Sequence, residues 1–230
     1  LNGFTSVSHA VGLIATAAAT AALVPLARSR RGSPTVALVS IALAAVLAGN
    51  LLGLQAMRVR AGEWSVSSSL PLYLCDVAAA VAALALLWPK AVLVELTWFW
   101  AMAGALIGVI VPDHTIAFPS YDWLEYYVGH GGVVVAAALL VIGCRLHPQP
   151  GALWRVIGIT FASIAVVGAI DAVTGGNYDY LRPIHVTSGS LLNLLGPWPW
   201  YIVVAACGEV VLLSVLDIPF WRERRRAPRT

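Results

Sequence analysis

Residues 35–57, "TVALVSIALAAVLAGNLLGLQAM", contain no charged side chain and no proline. About 20 consecutive apolar residues are enough for a helix to cross the hydrocarbon core of a bilayer. This stretch meets that length, and the rest of the chain has the same character. Of 230 residues, 60% are hydrophobic and 11% are charged, whereas a soluble domain has about 25% charged residues. The chain reads as an integral membrane protein folded as one bundle. A net charge of +3 does not imply nucleic acid, because most basic residues sit in short loops and the C-terminal segment.

Working outward, the apolar segments are 8–27, 35–57, 71–88, 91–111, 126–145, 152–173 and 199–218. The expected fold class is all-α, a polytopic bundle of seven transmembrane helices. Residues 1–221 form its single domain and 222–230 a basic tail. Pro34, Pro89, Pro150 and Pro199 fall at or near helix starts, where a missing N–H costs little. No basic residue precedes the first apolar run, against a secretory signal peptide. With the N-terminus outside, the inner segments hold Arg28, Arg30, Arg31, Lys90, Arg145, Arg155, Arg222, Arg224, Arg225, Arg226 and Arg229. The outer segments then hold only Arg58, Arg60 and Arg182. The positive-inside rule thus predicts a multi-pass cell-membrane protein with its N-terminus outside and its C-terminus cytoplasmic. The tail "WRERRRAPRT" (221–230) sets topology and attracts anionic headgroups.

That orientation collects polar residues at the outer face. Cys75 ends the segment "LPLYLC" (70–75), and Asp76 follows it. His130, in "YYVGHGG" (126–132), lies in the outer turns of the fifth segment. Asn50, Gln55 and Asp171 lie near the outer ends of segments two and six, and "TGGNYDYLRP" (174–183) is an outer loop. A helix N-terminus stabilises a thiolate, and histidine takes a proton near neutral pH, so cysteine plus histidine is the minimum for a thiol nucleophile. Cysteine also packs as a small hydrophobe, which is the reading for Cys144 and Cys207. Asp76, about 100° round the helix from Cys75, is placed to cap helix N–H groups or to orient another residue. Tyr126 shares a helical face with His130. The cysteines form no CxxC pair, so neither zinc nor a disulfide framework is suggested.

Asp113, His114, Asp122 and Glu125 crowd one outer loop without metal-ligand spacing and read as a solvated acidic loop. Trp123, Tyr126 and Tyr127 read as an interfacial belt. Glu209 and Glu95 are intramembrane carboxylates, functional by default or else bonded between helices. Glu95 lies close enough to the inner interface for the second reading. Asn177 and Tyr178 follow a double-glycine turn, and "LLGPWPWY" (194–201) leads rigidly into the last segment. The pair reads as a structured loop or as a shelf for headgroups.

"LPLYLCD" (70–76), "YYVGH" (126–130), "GGNYDYLRP" (175–183) and "SLLNLLGPWPWYIV" (190–203), with "DIPF" (217–220) near the end, together resemble the YwaF-type bacterial integral membrane proteins. That family is distantly similar to vertebrate transmembrane cysteine acyltransferases of ether-phospholipid synthesis, and to threonine-dependent membrane hydrolases of fatty-acid esters. The resemblance implies a nucleophile–histidine dyad acting on acyl esters, with Cys75 as nucleophile and His130 as base. The expected activity is acyl transfer or hydrolysis on a phospholipid or lysophospholipid, through a thioester and without metal or cofactor. Asn50, Gln55, Asp76, Tyr126, Asn177 and Tyr178 are the candidates for holding substrate or oxyanion. The alternative is a transporter or lipid-binding protein using Glu209 and Asn50, with Cys75 structural. A scaffold without chemistry is the third reading.

Overall fold

The computed structural model describes residues 6–112, 117–183 and 194–226. Asp113 and His114 lie outside the described residues. The helices are α1 (Val7–Ser29), α2 (Pro34–Ala61), α3 (Leu74–Leu87), α4 (Ala91–Ile110), α5 (Tyr121–Gly143), α6 (Ala152–Thr174) and α7 (Trp200–Arg226). Six of them are long and apolar enough to cross a membrane. α3 has 14 residues, about 21 Å of helix against a hydrocarbon core of about 30 Å.

Local chemistry sets the ends. Ser6, Ser33 and Ser120 cap α1, α2 and α5 by accepting from the N–H groups of His9, Val36 and Trp123. These side chains replace partners that the first turn lacks. Because of Ser120, α5 begins at Tyr121, several residues before the apolar run. α2 and α6 end at Gly62 and Gly175, with φ of 72° and 74°, where glycine has no Cβ to clash. α7 continues through Arg222 to Arg226, so the segment expected as tail begins helical.

α5 lies at the centre, packed on α1, α2, α3 and α4, with α3 between α2 and α4 and with α6 and α7 on the α4 side. The core between them is rich in alanine: it holds Ala78, Ala79, Ala82 and Ala85 of α3 and Ala101, Ala103 and Ala105 of α4. Lipid supplies no hydrophobic drive between helices, so close backbone approach through small residues provides the contact. Gly12 shows this most directly, because the Tyr127 ring occupies the place of a Cβ. α4 and α5 each contain a π turn, Ala101–Ala105 and Ala138–Gly143. Such a turn rotates the residues beyond it out of plain α-helical phase.

One end of the bundle is held by ions. Glu95, 1% exposed, accepts from Arg155 Nε at 3.0 Å and Nη2 at 2.7 Å, and from the Gln149 N–H at 3.0 Å. Arg224 pairs with Asp217 at 2.6 Å and also donates to the Pro148 carbonyl at 3.1 Å. Glu95 therefore joins α4 to α6 and to the loop before it.

Candidate functional site

Cys75 is the second residue of α3, so the site begins with what fixes the start of that helix. The residue before it, Tyr73, provides no side-chain cap. The Leu74 N–H instead donates to Asp179 Oδ1 at 2.8 Å, across 105 residues of sequence. Asp179 and its neighbour Tyr180 have φ of 53° and 57°, a left-handed backbone that costs energy in residues with a Cβ. Several bonds hold them there. Tyr178 is fully buried, and its N–H donates to Asp171 Oδ1 at 2.9 Å. The Tyr178 hydroxyl donates to the Val66 carbonyl at 2.8 Å and accepts from the Leu70 N–H at 2.9 Å. The Tyr201 hydroxyl reaches the carbonyls of Tyr180 and Arg182. Asn177 closes the loop by accepting from the Arg182 N–H at 2.7 Å and donating to the Arg182 carbonyl at 3.2 Å. The "NYDYLR" loop is thus a clamp on "LPLYLCD".

Asp179 lies outside the helices, and burial pushes its carboxyl up to about 6. The Leu74 N–H pulls the other way, and the charge of Asp171 adds to the rise. The cap on α3 comes from Asp179; Asp76 is half-buried and lines a groove. Cys75 is an exposed cysteine in the first turn of α3.

His130 stands on α5, which packs against α3. Its Nδ1 lies 3.0 Å from the Tyr126 carbonyl. A carbonyl only accepts, so in the neutral ring Nδ1 carries the proton and Nε2 the lone pair. The imidazole stacks on the Tyr126 ring, with centroids 4.2 Å apart. The Tyr126 hydroxyl donates to the Gly108 carbonyl at 2.8 Å. A Cβ on Gly108 would lie 2.7 Å from His130 Cδ2. A missing side chain on α4 therefore makes room for the imidazole.

The remaining candidates divide. Asn50 donates to the Glu125 carbonyl at 3.1 Å and so ties α2 to the helix that carries His130. Gln55 accepts from the Trp64 indole N–H at 2.9 Å. Arg58 lies within electrostatic range of both Asp76 and Glu125. Asn177 and Tyr178 belong to the clamp. Glu209 lines a cavity between α6 and α7 whose walls, among the described residues, do not include Asn50. Among the described residues no three His, Cys, Asp or Glu side chains are grouped to hold a metal.

Two cavities open beside α3. One, of about 770 Å³, runs between α2 and α3 from Gln55, Pro71 and Asp76 to Ile41 and Leu87. The other, of about 290 Å³, runs between α6 and α7 from Leu74, Asp179 and Tyr201 past Glu209 to Leu213. Sequence reasoning missed Asp179, Gly108 and Arg58. Only Asp179 carried a signal, as the acid inside the loop after the double glycine.

Among known proteins, no curated protein and no solved structure gives a match. The TMEM164 family matches residues 4–217, nearly the whole chain, including both the clamp and the helices that carry Cys75 and His130. This chain belongs to the TMEM164 family of membrane proteins.

Proposed function

We propose that this protein is a membrane-embedded acyltransferase or acyl-ester hydrolase that acts on a phospholipid or lysophospholipid through Cys75 and His130. The observation that carries this reading is the bond from His130 Nδ1 to the Tyr126 carbonyl. It leaves Nε2 as the basic atom, on a helix packed against the one whose first turn exposes the Cys75 thiol. His130 takes the thiol proton, the thiolate attacks the ester carbonyl, and a thioester forms. The charge that develops on the carbonyl oxygen needs donors; Asn50, beside α5, is the nearest in kind. Tyr126 positions His130, since its own hydroxyl proton goes to Gly108. The finer placement belongs to the same proposal. It comprises the YwaF-type branch, seven spans with α3 among them, the N-terminus outside, the cell membrane, and Cys75 at the outer leaflet.

The second reading, transport or lipid binding, is favoured by Glu209, which lines the α6–α7 cavity about a third of the way along α7. Purified protein in vesicles containing an alkyne-tagged phospholipid separates the two. Intact-mass analysis is expected to find a hydroxylamine-sensitive acyl adduct on wild type and none on Cys75→Ala or His130→Ala. A folded wild type that never acylates and never turns over several lipid donors would transfer the assignment to Glu209 and binding.

A further inference from the structure

The end of the bundle that carries the Glu95–Arg155 pair holds more cations than its acids engage. Glu95 is taken by Arg155, Asp217 by Arg224, and Glu223 by His147, whose Nδ1 lies 2.8 Å from Glu223 Oε2. Arg28, Arg30, Arg31, Lys90, Arg145 and Arg222 remain, all exposed and, among the described residues, in no ion pair. Three of them converge where α1 meets the end of α5. A Cβ on Gly143 would lie 2.8 Å from the Ala27 Cβ, so the last turn of α1, with Arg28, rests against the end of α5. Arg31 follows just past that turn. Its Nε donates to the Arg28 carbonyl at 3.4 Å, and its charge reaches Cys144. Arg145 is the next residue after Cys144. Its φ is 57°, a left-handed backbone in the place after a helix where glycine is the usual residue. The Leu146 N–H closes the helix end on the Leu140 carbonyl at 3.1 Å. Glycine would make the same turn without strain, so the backbone alone does not account for an arginine there. Trp88, Trp154 and Trp221 are exposed at this same end. Tryptophan in a membrane protein sits at headgroup level, between hydrocarbon and water, so the arginines stand at the height of lipid phosphates.

We propose that the meeting point of α1 and α5 binds the headgroup phosphate of an anionic phospholipid, with Arg145 as its anchor and Arg28 and Arg31 beside it. A guanidinium offers two parallel N–H donors to a phosphate. Three guanidinium groups on two elements leave positive charge that a zwitterionic headgroup, which carries its own cation, neutralises less well. Basic pockets between helix ends bind anionic headgroups in this way. The tryptophans favour a lipid over a soluble anionic partner, because they set the cations against a surface already dense in phosphate. This lipid is a bound component and not a substrate, since Cys75 opens α3 at the opposite end of the bundle. The site therefore does not depend on the chemistry proposed for Cys75. In the proposed orientation it faces the inner leaflet.

Native mass spectrometry of the full chain in detergent tests this, with equal amounts of dioleoylphosphatidylglycerol and dioleoylphosphatidylcholine added. Wild type is expected to retain phosphatidylglycerol in preference. Each arginine removed from the site is expected to weaken that preference about fivefold. Arg145→Gly separates binding from folding, because it removes the charge and relieves the left-handed backbone together. It should melt no lower than wild type in detergent and still lose the preference. Arg28→Gln combined with Arg31→Gln should lose it further. Arg60→Gln, which changes an exposed arginine at the other end of the bundle, should keep it. Equal retention of the two lipids by wild type overturns the proposal. A folded Arg145→Gly that holds phosphatidylglycerol as wild type does also overturns it. An equal loss in Arg60→Gln would mean diffuse attraction to net charge, and it overturns the site at α1 and α5.

Discussion

Asp179 does for α3 what an N-cap residue normally does from one position upstream. Losing a cap costs about 1 kcal/mol, and here the loss would also free the segment that carries Cys75. Asp179→Ala is expected to lower thermal stability by roughly that amount, with Asp179→Asn recovering much of it because the amide oxygen still accepts from Leu74. The charge has its own signature. The folded carboxyl is raised to about 6 from an ordinary 3.8, so the folded state binds more protons across that window. The contribution is fully present below about 4 and is lost as pH rises through 6. Melting temperatures of wild type and Asp179→Asn, measured from pH 4 to 7, should therefore diverge as pH falls, with wild type gaining. Gly108 gives a second test. Gly108→Ala would push its Cβ against His130, whereas Gly158→Ala meets nothing within 4 Å. Acylation of Cys75 is expected to fall more than tenfold in the first and to stay near wild type in the second, with both proteins folded. Asp179 shows in the sequence only as an acid in a loop after a double glycine, and Gly108 does not stand out at all, for one reason. Cys75 and His130 are conspicuous because their own chemistry is rare in an apolar run. A cap delivered across 105 residues and a space left for a neighbouring ring are properties of the fold, not of the residue.

At the scale of elements, the apolar runs predicted the helices well because lipid demands length and apolarity from each. The middle of every run was legible; the ends were less so. α5 starts at Ser120's cap, not at the first aliphatic residue, and α3 begins at Leu74 because the clamp reaches it there. Glu95 was legible as a carboxylate that ties helices together, but its partner was not, since Arg155 lies on α6, 60 residues away. Arg155→Ala leaves that carboxylate buried and without its cation. The expected cost is about 3 kcal/mol, toward the low end for a broken buried pair because the arginine side chain is 43% exposed. Replacing both by leucine should cost less than the single change, as thermal unfolding in detergent would show.

For the molecule as a whole, the proposed orientation puts Cys75 and the clamp on one side of the membrane and the Glu95–Arg155 pair on the other. A membrane-impermeant maleimide applied to sealed cells is expected to label Cys75. A cysteine placed at Gln149 should react only after the membrane is opened, and the reverse pattern would invert the topology. The 14-residue length of α3 has a consequence beyond its own packing. With α3 among the spans, as proposed, and the α2–α3 groove open to lipid, the leaflet beside it would meet a helix about 9 Å shorter than the surrounding hydrocarbon. Hydrophobic mismatch of this kind is relieved by local thinning of the bilayer. Thinning would lower the ester plane of a nearby phospholipid toward the first turn of α3, without any movement of the protein. Membrane thickness then becomes a rate-setting variable, with faster acylation of Cys75 in short-chain than in long-chain phosphatidylcholine vesicles. The protein would be most active where the surrounding bilayer is already thin.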